Sequence, residues 1–148
     1  MGFPDAIKSC LKKNYAGFQG RASRSEYWLF ALFFFLAMTI AAMTGGFAGS
    51  VLQALTNDHR MYRVGFTAWV LIAFISLALP LLAVKARRLH DLNMSGLWLL
   101  VLAIPGIGAL LFLGFLLPGS HGDNRFGPDP ILRMEAPRQH RTFNARSP

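Results

Sequence analysis

The sequence predicts an all-α membrane protein with three hydrophobic helical segments, the third interrupted at Pro105-Gly108, and an N-terminal amphipathic helix at the interface. Three observations carry that expectation. The stretch from Val64 to Val84 has no charged side chain, and as a helix it spans roughly 32 Å, enough to cross a hydrocarbon core of about 30 Å. Uncharged runs from Tyr27 to Thr56 and from Gly96 to Leu117 flank it. Only 15% of residues are charged, against about 25% in a soluble domain, and they cluster between the apolar runs, where water is available.

In chain order, Phe3, Ile7, Cys10 and Leu11 share one face at helical spacing, with Lys8, Lys12 and Lys13 elsewhere. Pro4 and Asp5 suit a helix start. The pattern fits a short helix lying in the headgroup plane and equally a frayed, solvated tail, and Gly17 and Gly20 break it. Ser23 and Glu26 then have capping-box spacing, the serine accepting from the Glu26 amide while the glutamate reaches back. Pairing of Glu26 with Arg21 or the Arg87/Arg88 cluster is the alternative, and capping is preferred because it needs no long-range contact. Tyr27 and Trp28 come next as headgroup-level aromatics.

The run from Tyr27 to Thr56 measures roughly 45 Å as one helix, more than a bilayer core needs. Gly45, Gly46 and Gly49 are expected to end the span near residue 44, leaving Phe47 to Leu55 as an interfacial piece. The four-residue recurrences Ala41, Gly45, Gly49 and Ala42, Gly46, Ser50 would also suit close helix contact, but helix termination is preferred. Ala48-Gly49-Ser50 resembles a signal cleavage site, yet the apolar run starts too late and is too long for a leader. A polar loop, Asn57 to Arg63, precedes the central span, in which Pro80 frees the Ser76 carbonyl and predicts a mild kink.

Lys85 to Ser95 is the densest polar cluster. Arg87 and Arg88 sit four and three residues before Asp91, so either can meet it on a helical face. Asp91, Asn93 or Ser95 can cap the next helix. The third run begins with Trp98 close by, is kinked or interrupted at Pro105-Gly106-Ile107-Gly108, and ends at Pro118-Gly119. Residues 1–130 thus form a single integral membrane domain with spans near 27–44, 64–84 and 96–117. Residues 131–148 form a basic tail whose composition predicts disorder.

Three crossings divide the Lys and Arg residues almost evenly between the two sides. A re-entrant third run would leave Arg60 and Arg63 alone on one side, but each half of that hairpin would reach only about 16 Å. Three hydrophobic helices are retained, with the N-terminus cytoplasmic and the side of the tail open.

The formal charge of +8 favours anionic lipid as partner. No basic-aromatic platform points to nucleic acid. Cys10 is alone, so no intramolecular disulfide is expected. His59, His90, His121 and His140 are far apart in sequence, and neither a metal site, a cofactor site nor a nucleophile-base set is expected.

Three stretches resemble the family grouped as domain of unknown function 805: Gly20-Arg21 with Ser23-Arg24-Ser25-Glu26-Tyr27-Trp28; Arg87-Arg88-Leu89-His90-Asp91 with Gly96 and Trp98; and Asn124-Arg125-Phe126-Gly127-Pro128-Asp129-Pro130. Ile104 to Gly108 fits the family's third apolar run. The resemblance, covering roughly Leu11 to Pro130, implies a bacterial inner-membrane location and no established activity.

A non-enzymatic component acting through lipid or protein contacts is the leading expectation. Its sharpest form is an anionic headgroup site built from Arg21, Arg24, Arg87, Arg88 and His90, beside a structural polar motif of Ser23, Glu26, Asp91, Asn124, Arg125 and Asp129. The same arginines can instead simply orient the helices, and that plainer role is preferred on sequence alone. An oligomeric transporter or channel subunit is the alternative, although no ionisable residue lies within the spans. A membrane-interface enzyme using His90 and Asp91 on lipid-linked phosphates comes third. A homo-oligomer or a membrane-protein complex fits these readings.

Overall fold

A computed structural model of the chain describes residues 2–101, 104 and 106–132. Among these residues the protein is helical without strands; an isolated antiparallel bridge joins Asn124 and Gly127. Helix α1, Phe3–Lys8, runs into a π-helical turn, Ser9–Lys13. Two 33-residue helices come next, α2 (Arg24–Thr56) and α3 (His59–Asp91). After them lie a 3-10 turn at Gly96–Leu99 and a short helix α4, Ile107–Gly114.

Both long helices are long and apolar enough to cross a membrane. Only 22% and 17% of their most apolar stretches are buried, so protein does not cover them as it covers the core helix of a soluble domain. Each measures roughly 50 Å, more than the hydrocarbon core.

The expected break in the first run does not occur: α2 continues unbroken through Gly45, Gly46 and Gly49 to Thr56. The reason is packing. Ala41, Gly45 and Gly49 are buried against α3. A Cβ on Gly45 would lie 3.0 Å from Trp69 Cδ1, and one on Gly49 would lie 2.7 Å from the Tyr62 carbonyl oxygen. A Cβ on Gly65 would in turn stand 3.4 Å from the Gly49 Cα. The glycines therefore bring two backbones together, and Trp69 Nε1 donates to Thr44 Oγ1 across the same seam at 3.0 Å.

The polar loop expected at Asn57 to Arg63 contracts to Asn57 and Asp58. Asn57 closes α2 in the left-handed conformation, φ 53°, and the Asp58 carboxylate accepts from the Arg60 amide at 2.8 Å. In α3 the Ser76 carbonyl freed by Pro80 accepts from the Tyr15 hydroxyl at 2.6 Å. The partner comes from the N-terminal segment, sixty-one residues away; the Ser76 hydroxyl itself donates back to Ile72.

The third apolar run is not one continuous helix among the described residues. Ser95 caps the 3-10 turn, accepting from the Leu97 amide at 3.3 Å. Gly106, with φ 86°, precedes α4. Pro105, part of the expected interruption, and the tail beyond Leu132 lie outside the described residues.

Candidate functional site

The polar motifs meet at one end of the helix pair, in a joint built from the start of α2, the end of α3 and residues 115–130. Beneath it lies an apolar cluster of Cys10, Ala22, Tyr27, Phe30, Val84, Leu89 and Phe115. Tyr27 and Phe115 pack edge to face with centroids 4.9 Å apart.

Ser23 is the N-cap of α2, and its Oγ accepts from the Glu26 amide at 3.2 Å. The other half of the expected capping box is replaced by a long-range contact. The Glu26 carboxylate accepts from Arg87 Nη1 at 2.9 Å and from Ser9 Oγ at 2.8 Å. Cys10 Sγ lies 3.7 Å from both Glu26 Oε1 and Arg87 Nη2. Burial chiefly, with Glu26 beside it, pushes the Cys10 thiol up to about 12. The thiol is thus protonated and inert at neutral pH.

Asp91 anchors the second half of the joint. Its carboxylate receives Arg21, with both Nε and Nη2 at 2.9 Å from Oδ1, and pairs through Oδ2 with Arg88 of its own helix. All three side chains are buried, where ions persist only when paired and hydrogen-bonded. The Ala22 amide donates to the Arg87 carbonyl at 3.1 Å, so main chain also joins the two motifs.

The segment after the third apolar run closes the joint. The Ser120 amide donates to the Asp91 carbonyl at 2.8 Å, and Asn124 Nδ2 to the His90 carbonyl at 3.0 Å. These bonds satisfy carbonyls that the end of a helix leaves orphaned. Arg21 donates to the Ser120 and Gly122 carbonyls, each at 2.6 Å. Arg24 reaches the Leu116 carbonyl at 3.2 Å, and Arg88 the Leu117 carbonyl. Asp129 accepts from the Ile131 amide at 2.8 Å and the Gly122 amide at 3.1 Å. The Ile131 bond foremost, with Gly122 and Arg21 adding to it, holds its carboxyl below the usual range.

The expected five-residue basic site is divided. Arg21, Arg24 and Arg88 line one cavity of about 100 Å³, together with Ser23, Ser120 and His121 and the carboxylates of Asp91 and Asp129. Arg87 lies outside that lining, facing Glu26 and Cys10. His90 is also outside it: Nδ1 lies 3.0 Å from the Gly20 carbonyl and the ring stacks on Phe126 at 4.1 Å. Arg125 bonds the Asn93 carbonyl at 3.1 Å and covers the other partner of that stack, its guanidinium 4.7 Å from the Phe126 centroid.

Arg88 is fully buried, and its Nε, like that of Arg87 outside the cavity, has no hydrogen-bond partner among the described residues. Sequence reasoning missed Ser120, His121 and Gly119 in the cavity wall. A Cβ on Gly119 would overlap the Asp91 carboxylate, a need for glycine that no periodicity announces.

The chain matches the family described as Protein of unknown function (DUF805) over residues 15–128. It is 39% identical over 119 residues to Inner membrane protein YhaI of Escherichia coli K12, an alignment covering 80% of this chain and 89% of that protein. It is 40% identical over 125 residues to Inner membrane protein YhaH of the same strain, covering 81% and 92%. No solved structure matches the chain.

Proposed function

The chain belongs to the DUF805 family, and from that footing we propose that it is a non-enzymatic, multi-pass component of the bacterial inner membrane that holds the phosphate of an anionic lipid headgroup in the cavity beside Arg21, Arg24 and Arg88. Both relatives are named as inner membrane proteins, and two helices here have the length and apolarity to cross. The observation that carries the headgroup reading is the convergence of three guanidinium groups on one small cavity. Arg21 and Arg88 share a single carboxylate, so the lining keeps a positive excess over Asp91 and Asp129. Guanidinium forks match phosphate oxygens in geometry as well as charge. Arg24 is the exposed member, positioned to take a headgroup oxygen as it leaves the Leu116 carbonyl.

In this reading the N-terminus is cytoplasmic, and α1 with its π-turn lies along the headgroups, Ala6 and Cys10 turned to the core and Lys12 and Lys13 to anionic lipid. Native mass spectrometry of the detergent-purified protein tests the headgroup site, with phosphatidylglycerol, phosphatidylethanolamine and inorganic phosphate as separate probes. Wild type should retain phosphatidylglycerol about tenfold better than phosphatidylethanolamine, and Arg24→Ala should remove most of that preference, as loss of one charge-assisted hydrogen bond implies. Arg60→Ala, at the other end of the helix pair, should change nothing. Equal retention of the two lipids by wild type would end the proposal. Displacement of the lipid by inorganic phosphate at low concentration would make free phosphate the ligand.

A further inference from the structure

The third apolar run leaves and re-enters the fold at the same polar joint. It departs just after Asp91, where Ser95 caps the Gly96–Leu99 turn. It comes back where Phe115 packs on Tyr27, Arg24 bonds the Leu116 carbonyl, and the Ser120 amide bonds the Asp91 carbonyl. A crossing would separate its two ends by about 30 Å. The helix it contains, α4, has 8 residues and reaches about 12 Å.

From these contacts, and resting on the membrane residence proposed above, we infer that this run dips into one leaflet and returns, and that its exposed apolar side chains are a contact surface for the acyl chains of that leaflet. Leu97 is 75% exposed, Leu100 73% and Leu117 59%, and Leu117 directly precedes Pro118, which with Gly119 lines the arginine cavity. Charge identifies the leaflet. With two crossings, nine of the eleven Lys and Arg residues among the described ones fall on the side of the joint and only Arg60 and Arg63 on the other, a bias that assigns the joint to the cytoplasm. At the bend the Ile104 amide donates to the Val101 carbonyl at 3.0 Å and the Gly108 amide to the Ile104 carbonyl at 2.8 Å, bonds that meet part of the demand hydrocarbon makes of a backbone without water. A lipid whose headgroup entered the cavity would lay its chains over Leu116 and Leu117.

Labelling of single added cysteines with a membrane-impermeant maleimide tests the return. Lys12→Cys, Thr56→Cys and Leu132→Cys are all exposed positions, and the native Cys10 is buried and out of reach. In intact cells Thr56→Cys should react, while Lys12→Cys and Leu132→Cys should react only after permeabilisation. Protection of Lys12→Cys with labelling of Leu132→Cys would place them on opposite sides and overturn the inference. Spin labels at Leu97→Cys and Leu113→Cys test the lipid surface. Relaxation by oxygen in preference to a water-soluble nickel chelate is expected, and the reverse preference would remove the acyl-chain contact. Neither result depends on lipid selectivity, so failure here and failure of the headgroup site are separate outcomes.

Discussion

The two ends of the α2–α3 pair are built on different physics. At the far end, two residues turn the chain, one left-handed asparagine closes α2 and one aspartate caps α3, all of it at the surface. At the joint, Arg21, Glu26, Arg87, Arg88 and Asp91 are all nearly inaccessible and bonded to one another or to main-chain carbonyls. A reversal of direction needs only local capping. The joint brings charge into low dielectric, so each ion depends on a partner, Arg88 on Asp91 of its own helix and Arg21 and Arg87 on carboxylates far away in sequence. Its density of donors is what makes it a candidate site.

The sharpest way to break this comparison is to remove Asp91. Asp91→Ala leaves Arg21 and Arg88 buried without their shared counter-ion, which costs about 3–5 kcal/mol. Asp58→Ala at the other end loses only a cap at the surface, worth about 0.5–2 kcal/mol. Thermal unfolding in detergent should therefore separate the two variants widely. Equal midpoints would mean that the joint is no more dependent on its ions than the turn is on its cap.

A second experiment probes the seam between the two ends. Gly49→Ala puts a methyl against the Tyr62 carbonyl and should cost about 1–3 kcal/mol by overpacking. Gly46→Ala, whose Cβ would meet nothing closer than the Tyr62 hydroxyl at 3.8 Å, should instead stabilise by about 0.4–1 kcal/mol, the gain of an unhindered alanine inside a helix. A gain of similar size from both would leave the glycines without a packing role in the seam.

That seam also shows why parts of the molecule were legible in the sequence and others were not. Charge-free length announced two helices long and apolar enough to cross a membrane, and Ser23, with Glu26 three residues later, announced the start of α2. Glycine's tendency to end helices suggested a break that does not form. In hydrocarbon an interrupted helix leaves backbone groups without water, and close packing against Tyr62 and Trp69 rewards the missing side chains. Within the joint, the Arg88–Asp91 spacing was visible as a helical neighbour pair, but Arg21 and Asp91 lie seventy residues apart and no local pattern links them. The division of the basic cluster comes from rotation. Consecutive helical residues point about 100° apart, so Arg87 turns to Glu26 while Arg88 turns to Asp91, and grouping both in one site ignored that angle.

A smaller effect is expected at Tyr15, which ties the N-terminal segment to the middle of α3. Tyr15→Phe keeps the ring and removes the bond to the Ser76 carbonyl, at a cost of about 0.5–1.5 kcal/mol. Hydrogen exchange should quicken around Pro80 and leave the Thr56–His59 turn unchanged. Quickening at both ends would show that the segment supports the whole pair and not the proline alone.

The smallest effect at neutral pH, and the most local, belongs to Asp129. Its carboxyl is held below the ordinary value of 3.8 mainly by the Ile131 amide. A depressed native value means that this carboxylate contributes stability above the unfolded value, and that the contribution is lost as pH falls through the native one. Wild type and Asp129→Asn should therefore differ near neutrality and converge in acid, with the divergence confined to exchange at the Gly122 and Ile131 amides. The turn they hold forms part of the cavity wall, so lipid retention should weaken over the same acidic window. The Asp58 cap lies at the far end of the pair and serves as the control. If retention stayed constant while those amides opened, the arginines would hold the headgroup without help from the C-terminal segment, and the joint would divide into a site and its cover.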